Sequence, residues 1–199
     1  GLPFAVRREY RGLNGRTYRH SFPSEWSREL GLALGWLAGD GWLRSGDKGR
    51  CVGLCFGPAD RDILALLKGH LDAWYGRPVK PVERERGVVH LSYHGQLFVE
   101  FFEALGLRSV RAAEKTVPRS LFTAPREAVV GFLQALFTAD GTDRKNPRRG
   151  SAWVALTSKS RELLRGVQLL LLNLGVKSTI LDRSRPPREG LFTYRTVRG

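Results

Sequence analysis

Asp40 and Asp140 stand 100 residues apart, and each closes an apolar stretch and precedes a glycine: Ala38-Gly39-Asp40-Gly41 and Thr138-Ala139-Asp140-Gly141. A carboxylate at the C-terminal end of a helix opposes the macrodipole by about 0.3–1 kcal/mol. Two such carboxylates brought together also repel each other. A divalent cation between them would remove both penalties. Oxygen donors with room for water and phosphate oxygens suit Mg²⁺, with Mn²⁺ as a substitute, better than zinc.

The elements that must position this pair are two helices, expected from about Ser24 to Asp40 and from Pro125 to Asp140. Gly31, Gly35 and Gly39 fall four apart in the first, and Gly131, Ala135 and Ala139 do so in the second, which lines small residues along one face of each. A glycine inside a helix costs about 0.8–1.0 kcal/mol relative to alanine. Three in one helix need a compensating reason, and close packing of the two backbones supplies it. If the helices pack in parallel, their C-terminal ends meet and the two aspartates with them.

The same shift of 100 runs through the rest of the chain. Arg61-Asp62-Ile63-Leu64 recurs as Arg161-Glu162-Leu163-Leu164, and Val52, Leu54 and Phe56 alternate as Ala152, Val154 and Leu156 do. One unit therefore reads helix, strand, strand, helix, strand, strand. In the first unit the expected strands are Trp42–Arg44, Arg50–Phe56, Val79–Glu83 and Val88–Tyr93, with helices over Asp60–Tyr75 and Gln96–Leu105. In the second they are Thr142–Arg144, Ser151–Thr157, Lys177–Asp182 and Leu191–Val197, with a helix over Lys159–Leu174 and no counterpart of the Gln96–Leu105 helix. Ser24 is the expected N-cap, Pro125 suits a first turn, and Gly41, Gly76, Gly106, Gly141 and Gly175 are expected as C-terminal glycines. Residues 1–22 read as a basic arm or the stub of a neighbouring domain, 23–110 as the first repeat, 111–124 as a linker and 125–199 as a second repeat that stops short of its last helix.

Composition narrows the function classes. The chain has 199 residues, 42% of them apolar, and 33 Lys plus Arg against 19 Asp plus Glu, for a net charge of +14. That apolar fraction excludes intrinsic disorder, and no apolar run approaches the roughly 20 residues needed to cross a bilayer, so no membrane partner is expected. Of the basic residues 26 are arginine, the side chain best suited to bidentate contact with phosphate and guanine. A polyanion partner, nucleic acid first, is the reading of that excess, beside a solubilising surface or a genomic arginine bias. The absence of methionine marks a processed or excised piece, and two cysteines are too few for a disulfide scaffold. An intracellular location, in the cytoplasm or on the nucleoid, is expected.

Cys51-x-x-x-Cys55 and His90-x-x-x-His94 could suggest zinc, but residues four apart on a strand stand about 13 Å apart, and no zinc is expected. The two cysteines share the strand face opposite Val52, Leu54 and Phe56, where they face a partner or pack.

Ala33-Leu34-Gly35-Trp36-Leu37-Ala38-Gly39-Asp40-Gly41 and Leu133-Gln134-Ala135-Leu136-Phe137-Thr138-Ala139-Asp140-Gly141 resemble the two signature helices of LAGLIDADG homing endonucleases. Glu114-Lys115-Thr116-Val117-Pro118, 25 residues before Asp140, resembles the Lys-x-x-Pro block of endonucleases carried within inteins. The resemblance spans nearly the whole chain. It implies an α+β fold, a pseudo-two-fold pair of αββαββα repeats. Two saddle-shaped antiparallel sheets would lie over the DNA major groove, with a central pair of packed parallel helices.

It also implies roles. Asp40 and Asp140 would hold metal, with the carbonyls of Gly39 and Ala139 as further ligands, and Lys115 would be the cation beside the reacting phosphate. Arg44, Lys48, Arg50, Arg77, Lys80, Arg84, Arg86, Arg144, Lys145, Arg148, Arg149, Lys177, Arg183 and Arg185 lie on or beside the expected saddle strands, each read as a phosphate contact or solvated charge rather than a base reader. The expectation is a monomeric Mg²⁺-dependent endonuclease cutting both strands of a long double-stranded DNA site and leaving short 3′ overhangs. The alternative is a catalytically silent DNA-binding relative or an RNA intron-splicing maturase. The second repeat shows no equivalent of Lys115. No cysteine or serine opens the chain and no His-Asn closes it, so a host intein's splicing domain would have been removed and this piece would not splice.

Overall fold

The computed structural model describes residues 1–46, 49–146 and 150–182. The chain opens with a hairpin of β1 (Glu9–Arg11) and β2 (Thr17–Arg19), with Tyr10 opposite Tyr18. Phe22 is buried and stacks on Phe101 at 4.2 Å, and Phe4 meets the same ring edge-on at 6.0 Å. Residues 1–22 are thereby packed against the core of the first half.

Helix α1 (Arg28–Ala38) is capped by Ser27, whose side chain accepts from the Leu30 N–H at 3.2 Å. The expected cap, Ser24, lies before the helix begins, and its carbonyl accepts from the Leu2 N–H, which holds the approach to α1 against the N-terminal segment. Every residue from Leu30 to Ala38 is buried, because α1 has partners on all sides. Strands β3 (Gly41–Arg44) and β4 (Cys51–Phe56) follow, then α2 (Arg61–Tyr75), β5 (Val82–Glu83), β6 (Val89–His94) and α3 (Gln96–Ala104). The sheet is antiparallel in the order β3-β4-β6-β5. Leu43, Val52, Leu54, Phe56, Val89, Leu91 and Tyr93 enter the core from alternate positions, where α3 adds Phe98, Phe101 and Phe102. Strand β5 is shorter than the expected Val79–Glu83. Pro81 has no N–H to give, and the Val79 N–H donates to the Asp72 carboxylate of α2 at 3.0 Å.

The second half carries α4 (Arg126–Asp140), β7 (Gly141–Asn146), β8 (Ser151–Leu156) and α5 (Arg161–Asn173). Strands β7 and β8 pair antiparallel. Among the described residues the stretch expected as a strand over Lys177–Asp182 pairs with no other strand; the Gln168 side chain donates to its Ser178 carbonyl at 2.9 Å. The strand expected at Leu191–Val197 lies outside the described residues. Gly76, Gly106 and Gly175 have the left-handed φ of helix-terminating glycines, at 85°, 106° and 83°. Gly41 and Gly141 do not. They begin strands, and their lack of a side chain serves packing: a Cβ on Gly141 would lie 2.1 Å from the Phe137 carbonyl oxygen, and one on Gly41 2.6 Å from Leu37 Cα.

Helices α1 and α4 run parallel in backbone contact. A Cβ on Gly31 would sit 2.1 Å from the Ala128 carbonyl oxygen, one on Gly35 2.1 Å from that of Phe132, and one on Gly131 2.3 Å from that of Arg28. Further along, a Cβ on Gly39 would meet the Ala139 Cβ at 2.8 Å. Each clash but the last is with main chain, which no rotamer change can relieve. Gly35→Ala should therefore lose about 1–3 kcal/mol to overpacking despite a gain of about 1 kcal/mol in helix propensity. Gly69→Ala, in α2 with nothing within 4 Å of its Cβ position, should gain about 0.8–1 kcal/mol, or about 2–4 °C in a chain of this size. Thermal melts of both read the sign. A Gly35→Ala variant melting at or above the parent would show that the helices do not depend on contact there.

Candidate active site

The parallel packing of α1 and α4 carries their C-terminal ends to one place. Asp140 is the last residue of α4, whereas Asp40 follows α1 by two residues, after Gly39 turns the chain with φ −80° and ψ −91°. A Cβ on Gly39 would stand 3.4 Å from Asp140 Oδ2, so the second half's carboxylate lies against the first half's turn. The Asp40 carbonyl accepts from the Cys55 N–H at 2.9 Å, which fixes its backbone to the sheet.

Both carboxyl groups are half-buried, and burial raises the pKa of each above the usual 3.8. The Asp140 charge, and then Asp60, push Asp40 further in the same direction, while Lys115 pulls both down. Asp60, whose carboxylate accepts from the Gly57 N–H at 2.7 Å, is a third acid at the margin of the pair that sequence reasoning left unremarked. The Lys115 ammonium donates to the Gly39 carbonyl at 2.6 Å and to that of Gly41 at 3.1 Å. Desolvation lowers its pKa, and Asp140 and Asp40 oppose that shift.

Lys115 is held from its other side by the second half. Ser160, the N-cap of α5, is 1% exposed. Its hydroxyl donates to the Lys115 carbonyl at 2.6 Å and accepts from the Leu163 N–H at 3.1 Å. Two positions on, Val117 fills the space over Gly166, where a Cβ would lie 2.7 Å from it. Ser160 was missed in the sequence although it lies 100 residues after Asp60, directly before the repeated Arg-acid-apolar-Leu stretch. A serine before a helix looks like an ordinary cap, and nothing local shows its second bond.

Among the described residues no cluster of three or more His, Cys, Asp or Glu side chains could hold a metal. What converges is two carboxylates and main-chain carbonyls, an all-oxygen set with excess negative charge. That donor chemistry fits a hard divalent cation. Cys51 faces His94 and Cys55 faces His90 across β4 and β6, as two separate pairs at opposite ends of the ladder. Cys51 is buried and Cys55 half-buried.

On the sheet face away from the core, the register aligns Trp42 with Gly53 and Ser92, and Arg44 with Cys51 and His94. Arg44, Arg50, Arg77, Lys80, Arg84, Arg86, Lys145 and Lys177 are exposed. Arg50 stands 3.5 Å from the Glu100 carboxylate, and Arg77 donates to the Tyr75 hydroxyl at 3.2 Å. By backbone register Arg144 is opposite Trp153. Lys48, Arg148, Arg149, Arg183 and Arg185 lie outside the described residues.

A family model described as a LAGLIDADG-like domain matches residues 127–199. A DNA polymerase of Thermococcus hydrothermalis is 38% identical over 166 residues, 78% of this chain and 9% of that protein. The DNA gyrase A subunit of Mycobacterium gordonae is 31% identical over 184 residues, 89% of this chain and 31% of that protein. The chain thus spans a minor part of the curated relatives it matches. Among solved structures, mesophilic variants of the homing endonuclease I-DmoI share the fold with a TM-score of 0.52 at 16% identity, covering 76% of this chain and 74% of that one. The homing endonuclease I-WcaI bound to its DNA recognition sequence gives 0.50 at 12% identity, with 75% and 68% covered.

Two outcomes test this geometry. Because the folded carboxyls bind protons more tightly than the unfolded chain does, their contribution is favourable below about pH 4 and is lost as pH rises through their raised pKa values. In chelator at pH 8, Asp40→Asn or Asp140→Asn should therefore melt about 1–4 °C above the parent, from about 0.3–1 kcal/mol of dipole relief, and the gain should vanish toward pH 4. Ser160→Ala should lose about 1–2 kcal/mol in urea unfolding, while Ser160→Thr, which keeps the hydroxyl, should lose much less.

Proposed function

We propose that this chain, which has the LAGLIDADG homing-endonuclease fold and resembles that family in both of its halves, is a site-specific endonuclease of double-stranded DNA that uses divalent metal ions. The observation that carries the reading is the convergence of Asp40, Asp140 and Lys115 at the paired ends of α1 and α4. Residues 23–110 and 125–199 are the two repeats, 111–124 the linker that carries Lys115, and each repeat addresses one half of an asymmetric target as part of a monomer.

Asp40 and Asp140, with the Ala139 carbonyl and the lone pair of the Gly39 carbonyl that Lys115 leaves free, would hold the cations. Bound Mg²⁺ supplies activation of water and neutralisation of charge on the phosphodiester. The rest belongs to the chain. The two aspartates orient the centre across the helix interface. An ammonium has three N–H donors, and Lys115 directs two of them at the carbonyls of Gly39 and Gly41. The third can stabilise negative charge as it develops on a phosphate oxygen. The exposed basic residues beside the strands, Arg44 and Lys145 among them, bind backbone phosphates and set register.

The relatives support an origin within a host protein. A polymerase and a gyrase share no activity that would explain why each matches this chain, over 166 and 184 residues that occupy 9% and 31% of their lengths. A mobile insert common to both does explain it, and an intein endonuclease is the reading we adopt.

Cutting can be assayed on duplexes selected by the protein from a randomised pool. In Mg²⁺ or Mn²⁺ both strands should be cut with short 3′ overhangs, and Ca²⁺ should support binding without cutting. Asp40→Asn and Asp140→Asn should abolish cleavage and spare binding, and Lys115→Met should slow cleavage. A variant lacking both carboxylates that cut at the parental rate would refute the assignment.

A further inference from the structure

The hairpin of β1 and β2 carries five arginines, Arg7, Arg8, Arg11, Arg16 and Arg19, against Glu9 alone. All five are exposed. Like charges gathered on a small element repel one another unless a polyanion covers them. The element holding them is braced by its own contacts. Tyr10 and Tyr18 stack across the strands at 6.4 Å, the Asn14 side chain accepts from the Arg16 N–H at 3.1 Å, and the Arg8 guanidinium is tied to the Phe22 carbonyl at 3.0 Å.

Its position follows from a chain of contacts. Strand β3 leaves Asp40 at Gly41 and reaches Arg44, which aligns with Cys51 and, across β4, with His94. The His94 carbonyl accepts from the Tyr75 hydroxyl at 2.6 Å, and the Tyr75 carbonyl lies 2.9 Å from the ring of His20, the residue after β2. The root of the hairpin is therefore held at the C-terminal end of α2, near the end of the first sheet that lies farthest from the carboxylates, about 10 Å or more along β3. Arg77 adjoins it, since a Cβ on the preceding Gly76 would lie 3.1 Å from the Arg19 carbonyl oxygen.

We propose that this hairpin is an accessory clamp on the DNA backbone, gripping phosphates of the duplex as it leaves the first half's sheet. The inference rests on the endonuclease reading, because a duplex laid along the sheet from a central cut site must pass this end. Arginine favours the partner's chemistry, since its planar guanidinium pairs with phosphate in two parallel bonds. Without base-reading amides at the surface beyond Asn14, which is engaged with Tyr18 and Arg16, the clamp adds affinity and footprint rather than sequence choice.

The test uses the full chain and a 40-base-pair duplex, roughly twice the span of a short site, of mixed sequence. Arg7→Ala, Arg11→Ala and Arg16→Ala are combined, leaving Arg8 and Arg19 because they tie distant residues, Phe22 and Glu9, whereas Arg7 has contacts only with its near neighbours, the Glu9 carbonyl at 3.2 Å and the Tyr10 ring. A control removes two charges at the opposite end of the helix pair, with Arg28→Ala, whose guanidinium donates to the Gln134 side chain at 2.7 Å, and Arg126→Ala. Thermal melts confirm that both variants fold. The slope of log affinity against log salt should fall by about 2–3 in the hairpin variant, at about 0.9 for each phosphate that is no longer neutralised. The control should change it by less than about 1. Restoring charge with Arg7→Lys, Arg11→Lys and Arg16→Lys should return most of the slope. Hairpin and control variants with equal slopes would overturn the clamp while leaving the endonuclease reading intact. A parent chain that fails to bind the duplex at all would overturn that reading, and the clamp with it.

Discussion

Contact of backbone with backbone between α1 and α4 is the constraint on which the rest depends. Gly31, Gly35 and Gly131 each present a position where one added carbon would strike a carbonyl of the other helix at 2.1–2.3 Å. No larger residue satisfies that geometry, so the helices accept the propensity cost of glycine in return for close packing. The same approach fixes their mutual register and delivers both C-terminal ends to one point. The carboxylates meet because the backbones do.

That meeting is unfavourable in isolation. Two half-buried carboxyls sit at the negative ends of two helices, and burial raises the pKa of both. Lys115 offsets part of the repulsion, but it is not bonded to the carboxylates. It is anchored to the carbonyls of Gly39 and Gly41 in the first half and, through its own carbonyl, to Ser160 in the second. A cationic group placed by three separate elements keeps its position while the charges around it change. Such preorganisation is what electrostatic stabilisation of developing charge requires in general.

The halves are related but unequal. Asp40 sits two residues beyond its helix and Asp140 within its own. Four strands back the first half, and among the described residues two back the second. At the repeat-equivalent positions 60 and 160, aspartate holds a local turn through Gly57 while serine reaches across to Lys115. One plan thus carries two sets of contacts.

Much of this was legible in the sequence because it is periodic. The four-residue spacing of small side chains identifies a helix face, the shift of 100 identifies two copies, and alternation identifies β4 and β8. Those signals determine the fold class. Boundaries were less legible: Ser24 after Pro23 reads as the cap of α1 whereas Ser27 makes the bond, and Val79 looks like strand until its N–H goes to Asp72. Gly41 and Gly141 read as helix terminators because sequence shows the absence of a side chain and not what fills its place. The tertiary structure alone decided that Lys115 meets main-chain carbonyls, that Ser160 has a second bond, and that a basic N-terminal segment is a docked hairpin. Periodicity is a property of neighbours along the chain, whereas each of those contacts joins residues 45 or more positions apart, and only folding sets which of many possible partners is near.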